Sequence, residues 1–255
     1  MLLLINTTKT MNMDSDVPAR LKTTQPRQMT EAKKLARLVA GLNRSQLTEL
    51  MSLSENLADE TLVNSALWGK GDRPTIPAIY GFTGLLYKSL DVGSLNAAQR
   101  RDAQSRVRIL SGLYGVLRPF DLIEAYRLEM GQKLAVGKAK NLVAFWKENL
   151  TTMLNEDLKA GEPIISVAAQ EYMKALDLKN LKGPVISPVF KERRDDGSLK
   201  TVSVYSKKAR GELGRYALTQ KARHPHDFLG FDALGWEAAE EPPSSGPWLF
   251  TRPES

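Results

Sequence analysis

Residues 111–131, SGLYGVLRPFDLIEAYRLEMG, constrain the fold more than any other stretch of the chain. Two glycines three apart, one proline, two arginines and two tyrosines fit neither a helical nor a strand period. Gly112 and Gly115 free the backbone for positive φ. A helix is expected to end at Leu110-Ser111-Gly112, and a short second helix to open at Pro119 or Asp121. Two readings stand. A helix, a glycine hairpin and a second helix can hold a phosphate on exposed N–H groups, as phosphate-positioning elements do without reading bases. Alternatively, Arg118 and Arg127 pair with Asp121, Glu124 or Glu129 in a buried network.

Around this block the sequence reads as mixed α/β. The opening MLLLIN is a short buried strand. It is too short for a secretory h-region, and no apolar run reaches the ~18 residues of a membrane span. Residues 12–28 are polar with two prolines and read as a disordered loop. TEAKKLARLVAGL (30–42) sets Leu35, Leu38, Val39 and Leu42 on one helical face. Helices follow over 45–53, 78–90 (broken by glycines) and 141–159. Asn96 and Gln99 form a capping box opening a helix to Leu110, with Ala103, Val107 and Leu110 inward. IISVAA (164–169) is a buried strand. PVISPVF and KTVSVYS flank Asp196-Gly197 as a hairpin, and WLFTR (248–252) closes the chain. Without strict βαβ alternation, the expectation is one compact α/β (mixed α+β) domain over residues 1–255. It has a mixed sheet flanked by helices and a helix-hairpin-helix-like element.

The chain has no cysteine and two histidines, His224 and His226, in RHPHDF. Thiolate metal sites, disulfides and a cysteine nucleophile are excluded, and no helical His pair suits a metal. Neither a metal nor a cofactor is expected, a monomer is favoured although the sequence does not give the oligomeric state, and the lack of cysteine fits a reducing cytoplasm. Net charge is +7 and unevenly spread. Residues 186–223 carry ten Lys/Arg against four acids, and residues 98–140 carry nine against four. A phosphate-bearing partner suits that balance, which many ordinary enzymes also show.

YSKKARGELGRYAL (205–218) concentrates the basic charge. With Ser206 as N-cap, Lys207, Lys208 and Arg210 would fall in the first helical turn, the wrong sign for the macrodipole unless an anion docks there. Gly211 and Gly214 would permit close approach of a backbone or a phosphate. The other reading is a solvated basic turn with two packing glycines.

The 111–131 block resembles the YaaA peroxide-stress family. LLLINTTKT, AAQEY (168–172), SPVF (187–190) and YSKKARG (205–211) share the resemblance, collinearly from residue 1 to about 252. It implies a mixed α/β fold with a basic cleft, binding of double-stranded DNA, and protection against peroxide with an indirect effect on intracellular iron. Carried over, the nucleic-acid or phosphate contacts are Lys9, Thr10, Gly112, Gly115, Arg118, Arg127, Lys207, Lys208 and Arg210. Tyr114, Glu129, Glu171 and Tyr172 could instead carry acid–base chemistry on a nucleobase, nucleotide or damaged DNA. Asn6, Thr83, Leu85, Ala169 and Gln170 depart from the common family pattern.

Overall fold

The computed structural model describes residues 1–254. Its strands are β1 (Leu2–Asn6), β2 (Ile76–Pro77), β3 (Val107–Ser111), β4 (Gly115–Leu117), β5 (Leu122–Ile123), β6 (Ile164–Ser166), β7 (Val185–Arg193), β8 (Leu199–Lys200), β9 (Glu237–Ala238) and β10 (Gly246–Pro253). Its α-helices are α1 (Met29–Ala40), α2 (Arg44–Met51), α3 (Glu55–Leu67), α4 (Ala78–Gly81), α5 (Leu85–Leu90), α6 (Ala97–Arg106), α7 (Leu142–Asp157), α8 (Gln170–Met173) and α9 (Ser203–Thr219). The main sheet runs β4-β3-β1-β6-β7-β10-β9, with β8 paired to β7, while β2 and β5 pair separately. From β3 to β10 the neighbouring strands are parallel; β4, β8 and β9 are antiparallel additions. The expected mixed α/β fold is therefore present. No helix is long and apolar enough to cross a membrane, among the described residues.

β1 lies between β3 and β6 and is covered on both faces, which is why it reads as an unbroken apolar run rather than an alternation. Leu3, Leu4 and Ile5 are each at most 1% exposed. Burial of such a side chain stabilises the fold by roughly 1.5–3 kcal/mol.

Several sequence expectations need correction. The helix from Asn96 ends at Arg106, and Val107–Ser111 is strand β3. The capping box is as expected, with Asn96 and Gln99 bonded reciprocally. Pairing with β1 overrides the helical spacing of Val107 and Leu110, and all five residues of β3 are buried. Residues 111–131 contain no helix. They form a β3–β4 hairpin and then extended chain, so the helix-hairpin-helix-like element is replaced by strands. Leu38 lies 38% exposed, off the buried face of α1. The loop over 12–28 is pinned: Thr24 donates to Asp121 Oδ1 (2.6 Å), and its backbone bonds to Phe120 and Leu122.

The Asp196-Gly197 hairpin forms, with Gly197 at φ +81°. Its second strand has only two residues, both exposed, and the chain turns into α9 at Ser203. Ser206 is therefore inside the helix, and Lys207 and Lys208 lie in its second turn. Gly211 lets α9 approach α5 backbone to backbone: a Cβ there would collide with the Leu86 carbonyl oxygen. Gly214 is less crowded, with Leu90 Cδ1 at 3.3 Å from such a Cβ.

The α5–α9 contact gives a paired test in denaturant unfolding. Gly211→Ala is expected to lose about 1–3 kcal/mol by overpacking. Gly214→Ala should change stability by less than ~1 kcal/mol, since the helix-propensity gain offsets contact with a flexible leucine end. Equal midpoints for both variants would contradict the packing described.

Candidate functional site

Parallel sheets bind ligands beyond the carboxyl ends of their strands, where neighbouring chains leave in different directions. Here the chain leaves β1 at Asn6-Thr7-Thr8, and leaves β6 into Ala169-Gln170-Glu171. Asn6 ties these exits together. Its Oδ1 accepts from the Ala169 N–H (2.8 Å), and its carbonyl accepts from the Tyr87 hydroxyl (3.1 Å). Thr8 Oγ1 accepts from the Gly84 N–H (3.3 Å), drawing the start of α5 to the same rim. Asn6 and Ala169 are thus bonded to each other.

A cleft of about 710 Å³ opens at this rim, within the range of small-molecule sites. Lys9, Glu129, Gly131, Gln132 and Glu171 line it, facing Gln46, Glu49 and Ser52 at the end of α2. Lys9 Nζ pairs with Glu129 Oε2 at 3.1 Å. Glu171 lies over Gly131, where a Cβ would stand 2.9 Å from Glu171 Oε2. Burial and then the Glu129 carboxylate raise the Glu171 carboxyl above its ordinary range, against the pull of Lys9, Lys174 and Lys207. The cleft thus holds one carboxylate partnered by an ammonium and one that keeps its proton to higher pH, the usual division of roles in acid–base sites.

Hydroxyl groups lie behind the carboxylates. Thr7 Oγ1 and Tyr172 OH share a hydrogen bond of 2.9 Å, and Ser111 Oγ and Tyr126 OH one of 2.7 Å. Burial raises the phenols of Tyr87, Tyr126 and Tyr172, so each stays a neutral hydrogen-bonding group at ordinary pH. Tyr172 is 0% exposed and supports the cleft from behind.

A second cavity of about 240 Å³ shares Lys9 with the first. Arg73 and Arg127 supply cations there, and Met11, Met13, Leu57 and Tyr126 supply apolar surface. The two spaces place an acid–base pair beside a chamber suited to a ligand with a flat apolar part and an anionic part.

The sequence-derived residues divide accordingly. Lys9, Glu129 and Glu171 meet in the first cavity and Arg127 lines the second. Lys207 acts on Glu171 from α9, and Lys208 is exposed beside it. Thr10 contributes its carbonyl, which accepts from Thr8 Oγ1 (3.1 Å) and the Thr83 N–H (3.2 Å). Arg118 is neutralised by the buried Asp121 (2.9 Å) and also donates to the Gln25 carbonyl, so the buried-network reading holds for it. Gly112 and Gly115 are buried rather than open to a phosphate: Gly112 packs against the Leu128 carbonyl, and Gly115 takes φ +74° against Gln28 and Trp146. The turn amides of Leu113 and Tyr114 are already bonded to Ser111 Oγ. Tyr114 OH accepts from Trp68 Nε1 (3.2 Å) and the Glu124 N–H (3.1 Å), a structural role. Sequence reasoning missed Asn6, Thr7, Arg73 and Tyr126. The polar switch directly after the apolar β1 run was the signal for the first two.

The coupling at Glu171 can be read by carboxyl ¹³C titration. Glu129→Gln removes a like charge and should lower the Glu171 midpoint, whereas Lys9→Met should raise it. Midpoints unmoved by both changes would show that the three groups do not share one space.

The family described as peroxide stress protein YaaA matches residues 1–242. A UPF0246 protein of Idiomarina loihiensis is 40% identical over 261 residues, covering 100% of this chain and 99% of that relative. A UPF0246 protein of Flavobacterium johnsoniae is 39% identical over 254 residues, covering 99% and 100%, and one of Alcanivorax borkumensis is 37% identical over 258 residues, covering 100% and 99%. The match runs the length of the fold and through every segment that builds the cleft: the chain belongs to the YaaA peroxide stress protein family.

Proposed function

We propose that the protein is an acid–base enzyme of the peroxide-stress response acting on an anionic small molecule of the nucleobase or nucleotide class. The observation that carries this reading is the meeting of Glu171, raised above the ordinary carboxyl range, with the Lys9–Glu129 pair in one cleft at the carboxyl ends of β1 and β6. Glu171 moves the proton, Lys9 and Glu129 hold fixed charge beside the reacting atom, and Arg127 and Arg73 hold the anionic part. Met11, Met13 and Tyr126 offer a surface for a flat ring. Any effect on intracellular iron follows indirectly from this chemistry.

A second reading, binding of duplex DNA, draws on the exposed Lys207 and Lys208 beside the cleft. Two findings weigh against it as the main activity. The large cleft is lined by three acids (Glu49, Glu129 and Glu171) against two lysines, Lys9 and Lys133. Arg118 is committed to Asp121.

The test is a panel of nucleobases, nucleosides and mononucleotides scored by thermal shift, with binders followed by mass spectrometry for turnover. Glu171→Gln should bind as wild type and lose roughly 10²–10⁴-fold in kcat, the usual contribution of a positioned acid or base. Arg127→Gln should weaken binding. Unchanged turnover in Glu171→Gln would overturn the reading. A panel without binders, together with salt-sensitive duplex binding abolished by Lys207→Glu and Lys208→Glu, would establish the second instead.

A further inference from the structure

A third cavity, of about 430 Å³, lies between α6 and the pinned loop over 12–28, and shares no residue with the two already described. Its lining carries four cations, Arg20 and Lys22 from the loop and Arg100 and Arg101 from α6, and no acid. Arg20, Lys22 and Arg101 are exposed and meet no carboxylate among the described residues, and Arg100 donates to the Leu95 carbonyl rather than to an acid. The acids beside them in the chain are committed elsewhere: Asp102 to Arg106 and Arg223, and Asp121 to Arg118 and Thr24. Arg100 acts on Tyr80, whose enclosed hydroxyl has no hydrogen-bond partner among the described residues. Burial keeps that phenol neutral, so it supplies no counter-charge. Ala97, the first residue of α6, also lines the cavity, and the helix dipole adds positive potential at the same wall. The two α6 arginines belong to the basic excess over residues 98–140, which neither reading of the cleft uses.

Between the cations the walls are apolar, built from Pro18, Leu21 and Phe120. The main-chain donors of these walls are spent. The Phe120 N–H donates to Gln104 Oε1 (2.8 Å), the Thr24 N–H to the Phe120 carbonyl (2.9 Å) and the Leu21 N–H to the Pro18 carbonyl (3.0 Å). Gln104 Nε2 donates to Thr24 Oγ1 (3.1 Å), and Thr24 passes its own proton to Asp121. Hydrogen bonds to a guest are thus left to the guanidinium and ammonium groups of the rim. A sugar or nucleoside, polar on all sides, would lose more bonds to water here than it gained. An anion with an apolar body meets both the rim and the walls. Phosphate sites draw on free main-chain N–H groups, which these walls lack. Planar forks without such help suit a carboxylate, whose two oxygens one guanidinium matches.

We propose that the cavity between α6 and the 12–28 loop binds a long-chain carboxylate, with its apolar chain against Leu21 and Phe120 and its carboxylate held by the arginines of the rim. The site is separate from the acid–base cleft and does not rest on the activity proposed there.

Decanoate is the probe, kept below its micelle concentration, with decanol, acetate and decyl phosphate as comparison arms at constant ionic strength. The readouts are the Leu21 methyl resonances of the full chain and calorimetric titration. Decanoate should move the Leu21 methyls saturably, while decanol, which lacks the charge, and acetate, which lacks the chain, should each bind at least roughly tenfold more weakly. Combining Arg20→Gln with Arg101→Gln should weaken decanoate by a similar factor, and Leu21→Glu should abolish its binding. Arg194→Gln, on the β7–β8 hairpin, and Glu171→Gln, in the cleft, should leave the affinity unchanged. Arg20 and Arg101 are exposed and bonded to no other side chain among the described residues, so their double variant should fold; should Leu21→Glu fail to fold, the comparison arms on the wild type still decide. Decanol binding as tightly as decanoate, an affinity unmoved by the double arginine variant, or Leu21 methyls that do not saturate would each overturn the site. Tighter binding of decyl phosphate would overturn the carboxylate assignment, as would methyl shifts caused by a DNA duplex and not by decanoate.

Discussion

The carboxyl end of β1 is the constraint on which the site depends. Leu2 to Ile5 are covered on both faces and hydrogen-bonded on both edges, so the strand cannot shift or slip without exposing the core. The sheet register continues one residue further, because the Thr7 N–H still donates to the Leu110 carbonyl (3.1 Å). Polarity changes abruptly at Asn6, and every group after it must find a partner at the rim. Asn6 takes Ala169 and Tyr87, Thr7 takes Tyr172, and Thr8 takes Gly84. Lys9 is the first residue of this run to reach into the cleft, held on a segment whose preceding three residues are all bonded. Rigid support of this kind sets functional groups more closely than a free loop would.

Charge pairing then sorts the arginines and lysines into structure and site. Arg108 joins β3 to α7 through Asp157, which also takes Arg27 at 2.7 Å. Arg106 and Arg223 share Asp102 and fasten α6 near the end of α9. Removing either carboxylate would strand a poorly hydrated guanidinium, so these pairs hold elements in place rather than bind ligands. Arg118 belongs with them, because Asp121 beneath it is 0% exposed. Net charge therefore overstates the positive potential available at the cleft. The cations of the cleft itself are few: Lys9 after β1 and Lys133 just past Gly131, with Arg127 lining the neighbouring cavity and Lys207 acting on Glu171 from α9.

The sheet, the single-chain mixed architecture and most helices were legible because apolar runs and capping residues are local signals. Asn96 with Gln99 is the clearest case, since both bonds of the capping box lie within four residues. Val107 to Leu110 was misread because its spacing suits a helix equally well, and only pairing with Leu3 to Asn6, about a hundred residues earlier, decides for a strand. The same distance effect hid the fate of the glycines. Gly112 and Gly211 suggested loosened backbone for a ligand, yet each accommodates a carbonyl of its own fold. Lys9, Glu129 and Glu171 were found from residue type and family resemblance, whereas their convergence depends on the order β3-β1-β6, which no local pattern encodes.

The hydroxyls behind the cleft have a direction that follows from counting lone pairs. Ser111 Oγ accepts from the N–H groups of Leu113 and Tyr114, which occupies both of its acceptor positions. Its own proton must therefore go to the Tyr126 oxygen across the 2.7 Å contact. Tyr126 is left to turn its proton away from Ser111, while Thr7 shares its own hydrogen bond with Tyr172. The β3–β4 turn thus fixes the direction of the Ser111–Tyr126 hydrogen bond behind the cleft. Because burial holds these phenols protonated, they cannot take up a proton from the cleft. The carboxyl of Glu171, raised by burial and then by Glu129, lines the cleft they stand behind.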